Sequence, residues 1–349
     1  MFTTPYLQAK RSLDSLKTSL KFNSGLRSAI AAGVLQLPDT IGPPPPSDGW
    51  CREEHCAVVT RLYSIYECMV HELITEWLEL FSSHTKYSAL PERMARVHRN
   101  GIGRILSNYD GGRRFRGLSL PTIIAEFGKA LTDAPNYGIL PAAFLHHDRN
   151  LRLNELVELL SDCGLTTEIA PWMKDNPDLR KHHSASPLNV TPEKAVADLI
   201  DYRNDAAHAG GDVDDILGEA TLIAYIEYFE CIFGALYQAF CSAGLDVKLV
   251  HDNWNKVGKV TGLHRTDPTI CIVALQAGTF RLGTKIYLRG KRCCFPAVVQ
   301  SIQLDGQQRE AFTCVDDREI GLKLDVSPTK GLELFARADV SALGLADPS

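Results

Sequence analysis

Within the stretch EKAVADLIDYRNDAAHAGGDVDD, residues 193–215, Arg203 and Asn204 stand just ahead of His208. An imidazole titrates near neutrality, so His208 is a candidate to take or give a proton. A guanidinium is a permanent, planar charge with paired donors, suited to oxygens that gain negative charge during a reaction. Five residues along a helix correspond to about 140° of rotation, so Arg203 and His208 would flank a groove rather than stack on one face. Asn204 either orients His208, bonds a phosphate, or is simply a solvated helix position.

The spacing alone is not selective. The chain has 22 Arg and 11 His, and chance gives about two Arg–His pairs separated by four to six residues. Two such pairs occur, Arg203/His208 and Arg93/His98. Context separates them. Arg203/His208 has a polar neighbour, the small Ala206 and Ala207, a double-glycine stop at Gly210 and Gly211, and helical patterns on both sides. Arg93/His98 lies in a Gly- and Arg-rich stretch, residues 85–118, without those features.

The elements that would position the motif follow from apolar spacing. Residues 5–32 predict a first helix, and the proline run Pro43–Pro46 ends it. Residues 50–82 form a helical pattern too apolar for a surface helix, hence a central one. Shorter helices are expected near 119–132, 151–163 and 166–175, with 175–189 as loop. Thr191 reads as an N-cap with Pro192 at the first helical position, opening a helix over 192–208. Asp212–Asp215 are expected to start another helix that runs to about Ala243. Its apolar part, from Ala220 to Gly244, carries Glu227 and Glu230; each would cost a few kcal/mol in lipid, so a buried helix is expected and no membrane association. After Leu249, short β-branched runs alternate with Gly, Asp and Pro turns, the rhythm of a small antiparallel barrel. The fold class expected is therefore multidomain, α then β: a helical bundle over 1–248 and a β-barrel over 249–349.

The segment RNDAAHAG, with its flanking helices, resembles the HEPN superfamily of ribonucleases, in particular its RiboL-PSP and MAE-type groups. The resemblance spans about residues 1–245, and only the motif region matches sharply. It implies a metal-independent endoribonuclease, without cofactor, that cleaves tRNA or mRNA through attack by the RNA's own 2′-hydroxyl. It also implies a homodimer whose two motifs face each other. A toxin or anti-phage effector is the expected biological role, with an antitoxin or regulatory partner. Tyr66-Glu67 is similar to an aromatic–acidic pair of related domains, which would let Glu67 hold Arg203; the plain alternative is one more Glu beside Glu72, Glu76 and Glu79. The alternative class is a HEPN module that binds RNA or protein without catalysis.

Seven arginines lie between 93 and 116, with Tyr109 and Phe115 interleaved and Asp110 the only acidic residue. They read either as a positive loop for single-stranded RNA, with Arg104, Arg113, Arg114 and Arg116 as contacts, or as a solvated basic loop. The formal net charge of −5 argues against non-specific coating of nucleic acid but permits a local basic groove. Cys51, His55 and Cys56 lack a second ligand pair, so no metal is expected. His146-His147 and His182-His183 have no carboxylate partner motif. The ten cysteines form no regular framework, and the N-terminus lacks a secretory pattern, so reduced thiols and a cytoplasmic location are expected.

The run VGKVTGLHRTDPTICIVALQAGTFRLGTKIYLRG, followed by EIGLKLD, resembles the second domain of translational GTPases such as elongation factor Tu. Its expected turn glycines are Gly258, Gly278, Gly283, Gly290 and Gly321, with a hairpin over GTFRLGTKI. No phosphate-binding GxxxxGK[ST] loop occurs, so GTP hydrolysis is not implied. The resemblance implies either substrate recruitment or an interaction and regulatory module.

Overall fold

The computed structural model describes residues 1–38, 43–109, 118–145, 150–165, 167–185, 188–208, 215–276, 278–314 and 317–337. The chain divides into two compact units, Met1–Tyr237 and Gln238–Ser349. The first is helical: α1 (Thr3–Ala31), α2 (Ser47–His84), α3 (Glu92–Ser107), α4 (Leu120–Leu131), α5 (Ala142–Leu145), α6 (Leu153–Asp162), α7 (Ile169–Asp175), α8 (Pro177–Ala185), α9 (Pro192–His208) and most of α10 (Glu219–His251). A single 3-10 turn at Tyr87–Ala89 precedes α3. The division falls inside α10.

Helix α2 is the axis of the helical unit. It buries two adjoining faces, among them Val58, Leu62, Tyr66 and Leu73 on one and Val70, Ile74 and Leu78 on the other, which explains its unusually apolar sequence. α1 and α9 pack along it. Tyr66 stacks on Phe233 of α10 and meets Phe229 edge-on. Aromatic tips then tie the shorter helices down: Tyr66 Oη donates to the Leu151 carbonyl at 3.0 Å, and Trp77 Nε1 to the Cys163 carbonyl at 2.9 Å.

Three expectations need correction. The Gly- and Arg-rich stretch is not a loop over 92–107; it is α3, with Met94, His98, Ile102 and Ile105 buried at helical spacing. Gly101 marks a crossing rather than a break. A Cβ there would lie 2.0 Å from the Ala143 carbonyl oxygen, so only glycine lets α3 and α5 approach so closely. Residues 177–185 are likewise helical. Buried Asn176 accepts hydrogen bonds from the Asp178 and Leu179 amides at 3.1 and 3.2 Å, an N-cap followed by proline. The last helix starts at Glu219, later than Asp212–Asp215. The Thr191 cap is present, with its Oγ1 accepting from the Lys194 amide at 3.3 Å.

The second unit carries β1 (Trp254–Leu263), β2 (Ile270–Leu275), β3 (Gly278–Arg281), β4 (Lys285–Arg289), β5 (Cys294–Leu304), β6 (Gln307–Arg309), β7 (Ala311–Cys314), β8 (Arg318–Leu324) and β9 (Glu333–Arg337). The order β4-β9-β1-β2-β8-β5 closes through a β4–β5 pairing into a six-stranded antiparallel barrel, with β6 added on β5. Val260, Val273, Phe280, Ile286, Leu322 and Leu334 are part of its core. The expected helical bundle followed by a small antiparallel barrel is thus the observed fold. Two details differ. The GTFRLGTKI segment turns at Arg281–Thr284, but β3 pairs with β7 and β4 with β5 and β9, so it is not a paired hairpin. Gly258 and Gly321 lie inside strands; at Gly258, a Cβ would come 2.6 Å from the Ala274 carbonyl oxygen. None of the ten cysteines is in a disulfide.

The two glycines of α3 offer a direct check of this packing. Gly101→Ala should destabilise the protein by about 1–3 kcal/mol, as overpacking does. Gly103→Ala, where nothing lies within 4 Å of the added carbon, should stabilise it by about 0.4–1 kcal/mol. Urea unfolding of the two variants measures both signs.

Candidate active site

The candidate residues come together on two helices and one connecting segment. α2 presents Tyr63 and Glu67, one turn apart on one face; α9 presents Arg203 and Asn204; Asn150 and Leu151 precede α6. The Arg203 guanidinium lies over the Tyr63 ring, 5.0 Å from its centroid, a cation–π contact. Its Nη1 donates to Asn204 Oδ1 at 3.0 Å. The same Oδ1 lies 3.5 Å from Asn150 Nδ2. The Tyr63 hydroxyl accepts from the Leu151 amide at 3.3 Å and has Glu67 Oε1 and Asn150 Oδ1 each at 3.5 Å as acceptors for its single proton. Arg152 and Asp201, 2.5 Å apart, pin this connecting segment to α9.

Arg203 is half-buried and makes no ion pair with a carboxylate among the described residues. Glu67 does not bond it directly, as the sequence suggested it would; Tyr63 links the two, stacking on one and bonding the other. Tyr63 was missed because, in the apolar run of α2, its pattern is that of a core residue, and it is indeed buried. Burial also raises the Tyr63 hydroxyl above its ordinary value, so it stays a neutral platform. Tyr66 is fully buried core. Asn204 is half-buried and engaged with Arg203 rather than solvated. His208 is the last residue of α9; its side chain and residues 209–214 lie outside the described residues.

The competing pair is built differently. Arg93 is neutralised by Asp162 at 2.5 Å. His98 is buried, with Nε2 accepting from the Leu140 amide at 3.2 Å and Nδ1 hydrogen-bonded to the Tyr87 hydroxyl at 3.0 Å. Its ring also stacks with Phe144. Burial, helped by the neighbouring Arg99 charge, lowers its pKa to about 4. It is a structural histidine.

Of the expected RNA contacts, Arg104 is exposed on α3, while Arg113, Arg114 and Arg116 lie outside the described residues, as do His146 and His147. His55 is buried, accepts the Leu217 amide on Nδ1 at 3.2 Å and meets Tyr202 edge-on, so it packs rather than joining Cys51 and Cys56. Among the described residues no group of three His, Cys, Asp or Glu side chains is placed to hold a metal ion. His182 packs against Tyr228.

An all-α unit with an Arg–His motif closing a helix, followed by a small barrel, defines the class. The RiboL-PSP-HEPN family model matches residues 54–242, more than half of the chain and the whole of the candidate site. The chain belongs to the RiboL-PSP-HEPN family. The curated proteins contain no significant match. Among solved structures, the chain is similar to the C-terminal domain of a putative U32 peptidase of Geobacillus thermoleovorans and to its selenomethionine variant. The identities are 22% and 20%; each match covers 24% of this chain, and 92% and 99% of the respective solved chains. At a TM-score of 0.21 in both cases, these likenesses carry no functional weight.

The neutral, buried state of His98 has a thermodynamic consequence. Its folded pKa of about 4 lies below the ordinary 6.5, so the unfolded chain binds more protons between those values. Its contribution is fully present above pH 6.5 and is lost as pH falls toward 4, on the order of 3 kcal/mol. Denaturation midpoints measured from pH 7 to 4 should fall less steeply for His98→Gln than for the wild type.

Proposed function

We propose that the helical unit is an endoribonuclease acting without a metal ion, with Arg203 and His208 at the reacting phosphate. The observation that supports this most is the Arg203 guanidinium, held over the Tyr63 ring and in no ion pair with a described carboxylate. A guanidinium with no counterion among the described residues is ready for an anion, whereas Arg93 already has one.

In this reading His208 takes the proton of the ribose 2′-hydroxyl, whose oxygen attacks the adjacent phosphorus. Arg203 stabilises the charge gathering on the non-bridging oxygens. The phosphorus–5′-oxygen bond breaks, and the leaving oxygen takes its proton from the protonated His208 imidazolium of a second copy across a homodimer axis. The products are a 2′,3′-cyclic phosphate and a 5′-hydroxyl. Tyr63 and Asn204 position the guanidinium, and Glu67 acts through Tyr63 rather than at the phosphate. tRNA and mRNA are the substrate classes that the family resemblance favours, with a toxin or anti-phage role and an antitoxin partner. To the barrel, whose strand pattern resembles the second domain of translational GTPases, we assign substrate recruitment.

Purified protein should cut RNA in EDTA and leave cyclic-phosphate ends. Arg203→Ala and His208→Ala should each lower the rate by about 10²–10⁴, and Arg203→Lys should not restore it, since lysine lacks the planar fork. RNA retained without cleavage, and unaffected by His208→Ala, would instead identify a binding module. In cells, growth arrest on expression should be relieved by His208→Ala.

A further inference from the structure

We propose that a shallow groove between α1 and α2 binds the phosphodiester backbone of RNA, at a site separate from the Arg203 platform; the choice of RNA as the polyanion rests on the ribonuclease reading above. The groove encloses about 480 Å³ and is lined by Gln8, Arg11, Ser12, Ser15 and Ser19 of α1 and Arg61 of α2. No carboxylate is among its lining residues.

Two features mark this face of α1. The first is charge. Lys10 and Lys17 pair with Glu230 and Glu227, and Arg27 pairs with buried Glu54 at 2.5 Å. Arg11 and Arg61 are exposed, and neither makes an ion pair among the described residues. The second is the state of the hydroxyls. Thr18 turns back on the Asp14 carbonyl at 2.8 Å, and Ser24 bonds Glu219. Ser12, Ser15 and Ser19 make no side-chain hydrogen bond among the described residues, and their spacing lines them along the groove. Two permanent cations, three hydroxyl donors and an amide with no acid among them match the oxygens of successive phosphates.

The placement also suits a strand that reaches the platform. Arg61 and Tyr63 are two residues apart on α2, about 200° around the helix. The groove and Arg203 therefore lie on opposite flanks of a rod about 10–12 Å across. A single strand crossing α2 would touch both within a few nucleotides.

The test uses the full chain and a fluorescent single-stranded RNA made uncleavable by 2′-O-methylation, so it reads binding independently of catalysis. Arg11→Gln/Arg61→Gln should weaken binding several-fold and flatten the slope of log K against log salt by about 1.4, as expected for two lost phosphate contacts on a single strand. Arg11→Glu/Arg61→Glu should weaken it further, with circular dichroism confirming the fold of both variants. An unchanged affinity and slope in folded double variants overturns the groove, even where Arg203 and His208 prove essential for cleavage. Displacement of the RNA by polyglutamate at equal charge concentration also overturns it, in favour of an acidic peptide. Dissociation of a dimer on Arg11→Gln/Arg61→Gln with the salt slope unchanged overturns it in favour of a contact between copies. If the wild type cuts no RNA but the variants still lose the slope, the groove stands and the catalytic reading falls.

Discussion

An arginine meant for an incoming anion cannot already be neutralised, yet left loose it must lose side-chain entropy each time it is used. In the helical unit Arg203 is seated over the ring of a tyrosine and pairs with no acid among the described residues. A ring offers the cation on the order of 0.5–2 kcal/mol without supplying a competing negative charge. That arrangement requires Tyr63 itself to be immobile, and it is: the ring is buried, and its hydroxyl is taken up by the Leu151 amide, Glu67 and Asn150. The Leu151 peptide serves twice, with its carbonyl receiving the Tyr66 hydroxyl. α2, the entry to α6 and α9 therefore share one small polar knot, and the Arg152–Asp201 pair closes it from outside.

The two Arg–His pairs show how little spacing decides. Both sit on helices, with the histidine five residues after the arginine. In α3 the histidine faces inward, where a peptide amide and a tyrosine hydroxyl consume both ring nitrogens, and the arginine faces Asp162. In α9 the arginine leans inward onto a ring and the histidine closes the helix. A histidine with both nitrogens committed and a pKa near 4 stays neutral at neutral pH and serves packing.

What was legible in the sequence was whatever a short window decides. The cap at Thr191 with Pro192, the central apolar helix and most barrel strands were all readable from local pattern. What was not legible depended on partners distant in the chain. The helix over 92–107 was hidden in a Gly- and Arg-rich stretch because the reason for Gly101, the Ala143 backbone, lies elsewhere in the sequence. Asn176-Pro177 carried a readable cap signal, overlooked because the residues after it are polar. Tyr63 could not be separated from its apolar neighbours, because its role as a platform exists only once Arg203 lies over it. Glu67 lies beside the Tyr63 hydroxyl, a contact that no local pattern on α2 could single out.

Helix α10 shows the same limit at the scale of a whole element. It is long and apolar enough to cross a membrane, yet 61% of its most apolar window is buried inside the protein. Two of its carboxylates, Glu227 and Glu230, resolve the ambiguity. Glu227 and Glu230, one turn apart, meet Lys17 and Lys10, which are two turns apart on α1. Each pair is partly exposed, so it contributes little net stability. Their effect is positional: they tie α1 to α10 at two points. The acids that make this helix a poor lipid span are thus the groups that orient the N-terminal helix.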